Sequence, residues 1–552
     1  MLASSCERVV RQRGTSKTYP LRKLHAWLSD NKQWMVAAAL FALCLAPTYI
    51  SYQPYLFTWD DADYLEKSIK VSQILWSGSV HGLRSTMAGI RPPAMTLLGL
   101  PWGPLTSWDG AGKCFITLAA VISLLAASCL YLLLRIGAKP FFLVVAAVCV
   151  GASLGPYPHA GETHMADTTH GAATGLMADS LFAWTALAAI LLLPYEAKTT
   201  CLLIRDAVLR GIIWGSILSL GVMTKLSFAY FIVFLVPLLF VFNFARNGGQ
   251  RALAALIGFA CSSAPTALYL LLWGRSAFEN AQAASFGRVA ADRYYVPLLQ
   301  FLTDTIRDSP GLMLSFMLTA AALVYLMIKR RPMQSLPDFL ALLIMIGFGI
   351  VVLVSPNRES RFAFPIILAL PFLTAILMSD KESSAPRLSA ALAAGLVFCG
   401  LLAAALPMRD RADSQSLARS DAILTHAVRC NARHVILATN SPTLNFNLIA
   451  VSIAISAPID SIEWSSLPTD TKGGVLSIEE GFQTIRQADE IVFQNTDTIF
   501  QDFAGVSLRP WNQRVSEYER YIQQAGYLAI TVYNDVVVYS LRNQALTEPL
   551  CK

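Results

Sequence analysis

The chain has 552 residues, of which 55% are hydrophobic and only 14% charged, and its mean hydropathy is +0.50. Soluble globular proteins carry roughly 25% charged residues, so this composition excludes an ordinary soluble enzyme and points to a polytopic membrane protein. The net charge of +7 does not argue for a nucleic-acid partner, because the basic residues gather in an N-terminal tail and in short loops, where they orient a chain in a membrane.

Residues 1–33 form that basic tail, with Arg8, Arg11, Arg13, Lys17, Arg22, Lys23 and Lys32. The first apolar run follows at 34–50 and reads as an uncleaved signal anchor, since the tail before it is long. A crossing needs about 20 apolar residues. On that rule spans fall near 34–50, 114–134, 140–155, 176–194, 211–225, 226–244, 252–273, 310–328, 337–355, 361–378 and 388–407, about eleven in all. Arg135 and Lys139, then Lys198, Arg205 and Arg210, then Arg246 and Arg251, then Lys329 to Arg331, and finally Lys381 and Arg387 all share the side of the basic tail. The N-terminus is therefore expected in the cytoplasm. Segments 51–112, 156–175 and 274–309, and everything after 408, are expected outside.

In the first outer segment, Leu65, Ile69 and Trp76 recur at helical spacing, which suits a helix over 61–76 lying in the membrane interface. Pro92-Pro93 then favours an extended stretch leading into a second short helix. After 408 the pattern becomes βα. Strands are expected at 434–439, 490–493, 527–531 and 536–539, and helices at 445–457, 478–488 and 516–525. The overall expectation is a polytopic α-helical membrane protein with a small C-terminal extracytoplasmic α/β domain at 408–552. Among ten cysteines, Cys430 and Cys551 lie in that polar part and could pair in an oxidising compartment. No CxxC spacing is present.

Several constellations carry chemistry. Asp60, Asp61 and Asp63 stand together just outside the first span. A partly desolvated carboxylate beside others has a raised pKa and can take a proton from an acceptor hydroxyl. A helix cap explains one aspartate but not three. Arg91, before Pro92-Pro93, is suited to bidentate phosphate binding, although an interfacial anchor would also use arginine. Asp179 opens the fourth span, where a carboxylate costs several kcal/mol and is a functional candidate. Glu162, His164, Asp167 and His170, with His159 near, could hold a divalent metal by residue type, although no standard ligand spacing is present. Lys225 follows Thr224 between two spans and could bind a lipid phosphate or a sugar carboxylate, or merely snorkel. Arg358 and Arg361 sit outside, against the charge trend, and could hold a phosphate or pair with Glu359.

Taken in order, Asp60-Asp61, Arg91-Pro92-Pro93, Met177-Ala178-Asp179-Ser180, Thr224-Lys225 and Arg361-Phe362-Ala363-Phe364-Pro365 resemble the motifs of the GT-C membrane glycosyltransferases. The likeness is to the group of aminoarabinose transferases, protein O-mannosyltransferases and lipid A galacturonosyltransferases, and it covers roughly residues 34–407. The pattern departs where the family often has Asp-Glu, lysine before the prolines, and arginine before the aspartate of the fourth span.

The resemblance implies a polyprenyl-phosphate sugar as donor, a lipid, glycan or protein hydroxyl as acceptor, and transfer outside the cytoplasm without a nucleotide sugar. Membrane lipids would be the other partners, and the expected location is the bacterial inner membrane. Residues 34–407 would then be the catalytic domain, with 51–112 its outer catalytic loop. Asp60 or Asp61 would act as base, with Asp179 beside them in the catalytic set. Arg91, Lys225, Arg358 and Arg361 would hold the phosphate. The resemblance names no definite cofactor, and a divalent metal is the one candidate. The rival classes are a secondary transporter, which would show two related halves, and a non-catalytic envelope-assembly protein.

Overall fold

The computed structural model describes residues 59–78, 82–87, 92–138, 143, 146, 178–201, 203–282, 297–308, 310–328, 336–355, 360–377, 414–439, 444–456, 462–467, 477–494, 509–534 and 536–541. The basic tail and the spans expected at 34–50 and 388–407 lie outside the described residues, as does nearly all of 140–155. So do Arg91, Arg358, Glu162, His164, Asp167 and His170. Asp60 and Asp61 belong to a described helix, but their side chains lie outside the description.

The helices fall where the sequence pattern predicts them, except one at Leu298–Asp308, inside the segment 274–309 for which no helix is expected. They are α1 (Trp59–Trp76), α2 (Gly110–Ile136), α3 (Ala178–Lys198), α4 (Ile204–Thr224), α5 (Ala229–Asn247), α6 (Gly249–Gln282), α7 (Leu298–Asp308), α8 (Pro310–Ile328), α9 (Leu336–Val354) and α10 (Phe364–Leu377). Among the described residues six helices, α2 to α6 and α9, are long and apolar enough to cross a membrane. The chain is an integral membrane protein.

The ends of these helices follow local chemistry. α2 stops at Gly137, whose φ of 94° lies in the left-handed region that glycine tolerates. Gly137 and Ala138 donate to the carbonyls of Leu134 and Leu133, which closes the last turn. α4 and α6 cross with their backbones nearly touching. A Cβ on Gly211 would lie 1.8 Å from the Ala255 carbonyl oxygen, and one on Gly258 would lie 2.2 Å from that of Val208. Small residues permit such close approach where lipid supplies no hydrophobic drive between helices.

α3 is the axis of the bundle. It is buried on every side, from Ala178 through Pro194, and packs against α2, α4, α5, α9 and α10. A helix that is apolar all round belongs in such a position. It therefore fixes its two terminal carboxylates, Asp179 and Glu196, at opposite ends of one rigid rod.

The C-terminal part comprises α11 (Ser414–Arg429), β1 (His434–Leu437), α12 (Phe446–Ser456), β2 (Glu463–Ser466), α13 (Ile478–Arg486), β3 (Glu490–Gln494), α14 (Arg509–Gln524), β4 (Tyr527–Tyr533) and β5 (Val536–Leu541). The sheet order is β2-β1-β3-β5-β4. β1 runs parallel to β2 and β3, and β5 pairs antiparallel with β3 and β4. Alternation along the strands sorts two cores. Ile436, Ile491 and Tyr539 face α13 and α14, whereas Val435, Leu437, Val492 and Val538 face α11 and α12.

α12 has a second face. Leu448, Val451 and Ala454 enter the core that contains α1 and the bundle. Gln73 of α1 donates to the carbonyls of Ala454 at 3.0 Å and Leu105 at 2.7 Å. Trp108 donates to Asp421 of α11 at 3.2 Å, and Ser452 of α12 donates to the same carboxylate. α1 forms where its periodicity predicts, but Ala62, Tyr64, Leu65 and Ile69 are buried. A helix lying in the lipid interface would expose its apolar side to lipid; this one is covered by α12 and by the turn after Pro93.

Candidate active site at the Asp179–Lys225 pair

Lys225 owes its position to a break between α4 and α5. Its backbone is extended, with φ −148° and ψ 133°, and a single 3₁₀ turn from Leu226 to Phe228 leads into α5. The break is held from both sides. The Lys225 amide still donates to the Gly221 carbonyl at 2.9 Å. The Phe228 ring folds back over Gly221, where a Cβ would meet the ring at 2.4 Å. Only glycine admits that approach.

The side chain of Lys225 reaches the first turn of α3 and forms an ion pair with Oδ1 of Asp179. Asp179 is 6% exposed at the side chain and Lys225 23%. The buried charge is thus paired, as burial requires, while the lysine keeps access to open space. An ammonium has three donors, and Asp179 accepts one. The Nζ also lies 4.8 Å from the centre of the Phe362 ring and 5.9 Å from that of Phe182. Arg361, on the 3₁₀ turn before α10, places its guanidinium 5.4 Å from the same Phe362 ring. Two cations therefore flank one aromatic side chain, whose face attracts positive charge.

Asp179, Lys225, Phe182 and Phe362 line a cavity of about 230 Å³, with Phe348, Val352 and Pro365 as its apolar wall. Val351, also on the wall, is 50% exposed. It lies on a membrane-spanning helix, so the cavity opens sideways toward lipid. Phe182, Phe228, Phe231 and Phe348 pack ring to ring behind it, with centroids 5.0 to 6.2 Å apart.

The Pro92-Pro93 turn packs against the end of α4 beside this site. Both prolines are buried, and the Ala94 amide donates to the carbonyl of Met223 at 2.8 Å. That contact stands two residues from Lys225. Ser68 of α1 in turn donates to the carbonyls of Met95 and Thr96 at 3.1 Å. Sequence motifs around Asp179, Lys225, Arg361 and Pro92-Pro93 thus converge. Asp63, the third member of the acidic cluster, is half-buried and paired with Lys67 at 2.9 Å.

Two features were not foreseen. One is the aromatic pair Phe182 and Phe362 beneath Lys225. The other is a polar knot at the far end of α3, where fully buried Glu196 accepts from Trp214 at 3.1 Å, Asn243 at 2.9 Å and Arg210 at 3.3 Å. A carboxylate near the end of an apolar run was the available signal. Among the described residues one group, His426, Cys430 and Glu490, brings three metal-ligand types together. Cys430 is disulfide-bonded, so its sulfur is not a thiolate. The group is a His426–Glu490 pair, 3.4 Å apart, with Glu490 buried and His426 half-buried, beside a bridge.

No protein-family model matches the sequence, and no curated protein matches it. Solved structures do share the architecture. ArnT from Cupriavidus metallidurans in the apo state aligns with a TM-score of 0.51 at 11% identity, over 93% of this chain and 98% of that one. The chain shares the fold of that protein. ArnT of the same organism bound to undecaprenyl phosphate aligns over 92% of this chain and 98% of that one, at 12% identity and a TM-score of 0.48. The apo-state likeness spans both the membrane-spanning bundle and the five-stranded sheet, and the Asp179–Lys225 cavity lies inside the bundle.

Proposed function

We propose that the chain is a membrane glycosyltransferase that moves a sugar from a polyprenyl-phosphate to a hydroxyl of a lipid, glycan or protein on the extracytoplasmic face. The observation that carries this reading is the Lys225–Asp179 pair in a cavity that opens toward lipid, lined also by Phe182 and Phe362, with Arg361 against the Phe362 ring and the Pro92-Pro93 turn bonded to the end of α4. A lipid-borne phosphate fits such a place: its chain stays in the bilayer while its charge meets the cations. ArnT, whose apo structure has this fold, is also a protein crystallised with undecaprenyl phosphate.

In this reading Lys225 and Arg361 hold the donor phosphate, with Arg91 and Arg358 as further candidates. Asp179 acts on Lys225, fixing the ammonium toward the cavity. The bond between the anomeric carbon and the phosphate oxygen breaks, and the acceptor oxygen bonds to that carbon. The acceptor proton passes to Asp60 or Asp61. The transition state is oxocarbenium-like, and charge on the leaving phosphate is met by fixed cations in a site shielded from water.

The placement of residues 408–552 outside the cytoplasm, with the N-terminus inside, belongs to the same proposal. The short basic loops support it. So does the disulfide at Cys430, since such bonds persist in oxidising compartments. The deciding experiment is incubation of the purified protein with a panel of polyprenyl-phosphate sugars and hydroxyl acceptors. Transfer by the wild type and its loss in Lys225→Ala is the expected result. Binding of a donor without transfer to any acceptor would sink the enzymatic reading.

A further inference from the structure

A second cavity, of about 390 Å³, lies between α2, α3 and α4. It is at the end of the bundle away from Lys225, separated from Asp179 by about 25 Å of helix. Its volume falls within the roughly 300–1,000 Å³ of ordinary ligand pockets. Leu124, Ala127, Leu192, Ile213 and Ile217 form its walls. Leu124 and Ile213 are 59% and 42% exposed, and both lie on membrane-spanning helices, so the crevice opens into hydrocarbon.

One end of the crevice is polar, with Tyr131, Tyr195, Glu196 and Arg210. The charge there divides unequally. Arg210 donates to Glu196 and to Thr199 and Thr200, so these two charges cancel within the protein. Arg135, one turn beyond Tyr131, stacks 5.8 Å from that ring and is exposed. Among the described residues it has no carboxylate partner. Neither do the hydroxyls of Tyr131 and Tyr195 have a hydrogen-bond partner among them. Both Arg135 and Arg210 lie within electrostatic reach of Tyr195. An apolar slot thus ends in one uncompensated positive charge and two hydroxyl donors, on the side that carries the short basic loops.

We infer that this crevice binds one acidic glycerophospholipid, its acyl chain in the slot and its phosphate against Arg135, Tyr131 and Tyr195. Charge complementarity selects the headgroup. A phosphodiester with net negative charge suits a site of net positive charge in the anionic leaflet, whereas a choline headgroup would set a second cation beside Arg135. The site is separate from the donor cavity and does not depend on the sugar-transfer reading.

Native mass spectrometry of the full chain in micelles, titrated with dioleoylphosphatidylglycerol or dioleoylphosphatidylcholine, tests this. The wild type should retain one phosphatidylglycerol about fivefold more tightly than phosphatidylcholine, the weight of one surface cation on an anionic lipid. Arg135→Gln, on an exposed side chain, should erase that preference. Ala127→Phe should fill the slot and weaken retention of both lipids, while free glycerol phosphate should not compete. Equal retention of the two lipids by the wild type, or an unchanged preference in Arg135→Gln, would overturn the assignment.

Discussion

Lys225 and Asp179 meet across the gap between α4 and α3, and each explains the other's burial. The carboxylate at the end of a buried helix has its counter-ion, and the ammonium is aimed between Phe362 and Phe182. Coupling of this kind should be visible in a double-mutant cycle. Lys225→Ala should weaken donor use by about 10- to 100-fold, since hydrogen bonds to charged groups contribute about 1.5–3 kcal/mol. Asp179→Ala should cost less, because the lysine remains but loses its orientation. The double variant should be little worse than Lys225→Ala alone. Strict additivity in kcat/KM would mean that Asp179 acts independently of the lysine.

Glu196 carries the opposite end of α3 and links it to α4 and α5 through Arg210, Trp214 and Asn243. Removing one partner of a buried charged pair strands the other, at about 3–5 kcal/mol. Glu196→Ala should therefore lower the melting temperature sharply, and Glu196→Gln, which can still accept hydrogen bonds, should lower it less. Transfer per folded molecule should hold in both, because Asp179 is about 25 Å away along the helix. An intact melting temperature in Glu196→Ala would show that the knot contributes no stability.

Tyr527 begins β4 and shares its hydroxyl proton between the carbonyls of Ile485 and Ala488, at 2.8 and 2.7 Å, at the end of α13. Burial pushes its pKa up to about 12 from an ordinary 10.0. The folded state thus favours the protonated phenol. The stability this confers is complete below the ordinary value and is lost as pH rises through about 12. Thermal unfolding followed between those two pH values should show a decline that is shallower in Tyr527→Phe. An identical decline in both proteins would assign the alkaline loss to other groups.

The bridge at Cys430 offers a test of orientation. In intact cells, a membrane-impermeant maleimide should label Cys430 only after treatment with a membrane-impermeant phosphine reductant. Labelling that needs cell lysis, with or without the reductant, would place the sheet in the cytoplasm and remove the shared outer face.

The sequence predicted the bundle closely because membrane helices are specified by apolar length alone: α8 matches its expected bounds and α3 differs by a few residues at each end. The Lys225 break was legible as a polar pair between two apolar runs. What escaped notice depends on partners distant in sequence. α12 was foreseen as a helix, but its pattern does not reveal that Ile449 faces the sheet while Leu448 and Val451 face the bundle. β2, α7 and α11 were not predicted. β2 is four residues long, at the sheet edge, and reads Glu463-Trp464-Ser465-Ser466, whose polar composition carries little strand signal. Glu196 was passed over because its three donors come from α4 and α5, which sequence spacing cannot bring together.

The acidic cluster gives the sharpest test of the proposed chemistry. Asp60 and Asp61 stand in the first turn of α1, where a carboxylate also favours the helix dipole. Asparagine keeps most capping ability and removes the base. If one of the two is the general base, its asparagine variant should bind the lipid donor normally yet transfer at least about a hundredfold more slowly. The other should be milder. Asp63→Asn should matter least, because Asp63 pairs with Lys67 one turn along, and such pairs contribute about 0.3–0.5 kcal/mol. A purely capping role predicts small losses in all three variants, tracking melting temperature and leaving the rate per folded molecule unchanged. Transfer rate and melting temperature measured together separate the two. Full activity in both Asp60→Asn and Asp61→Asn would remove these carboxylates from the mechanism and leave the proton to another group.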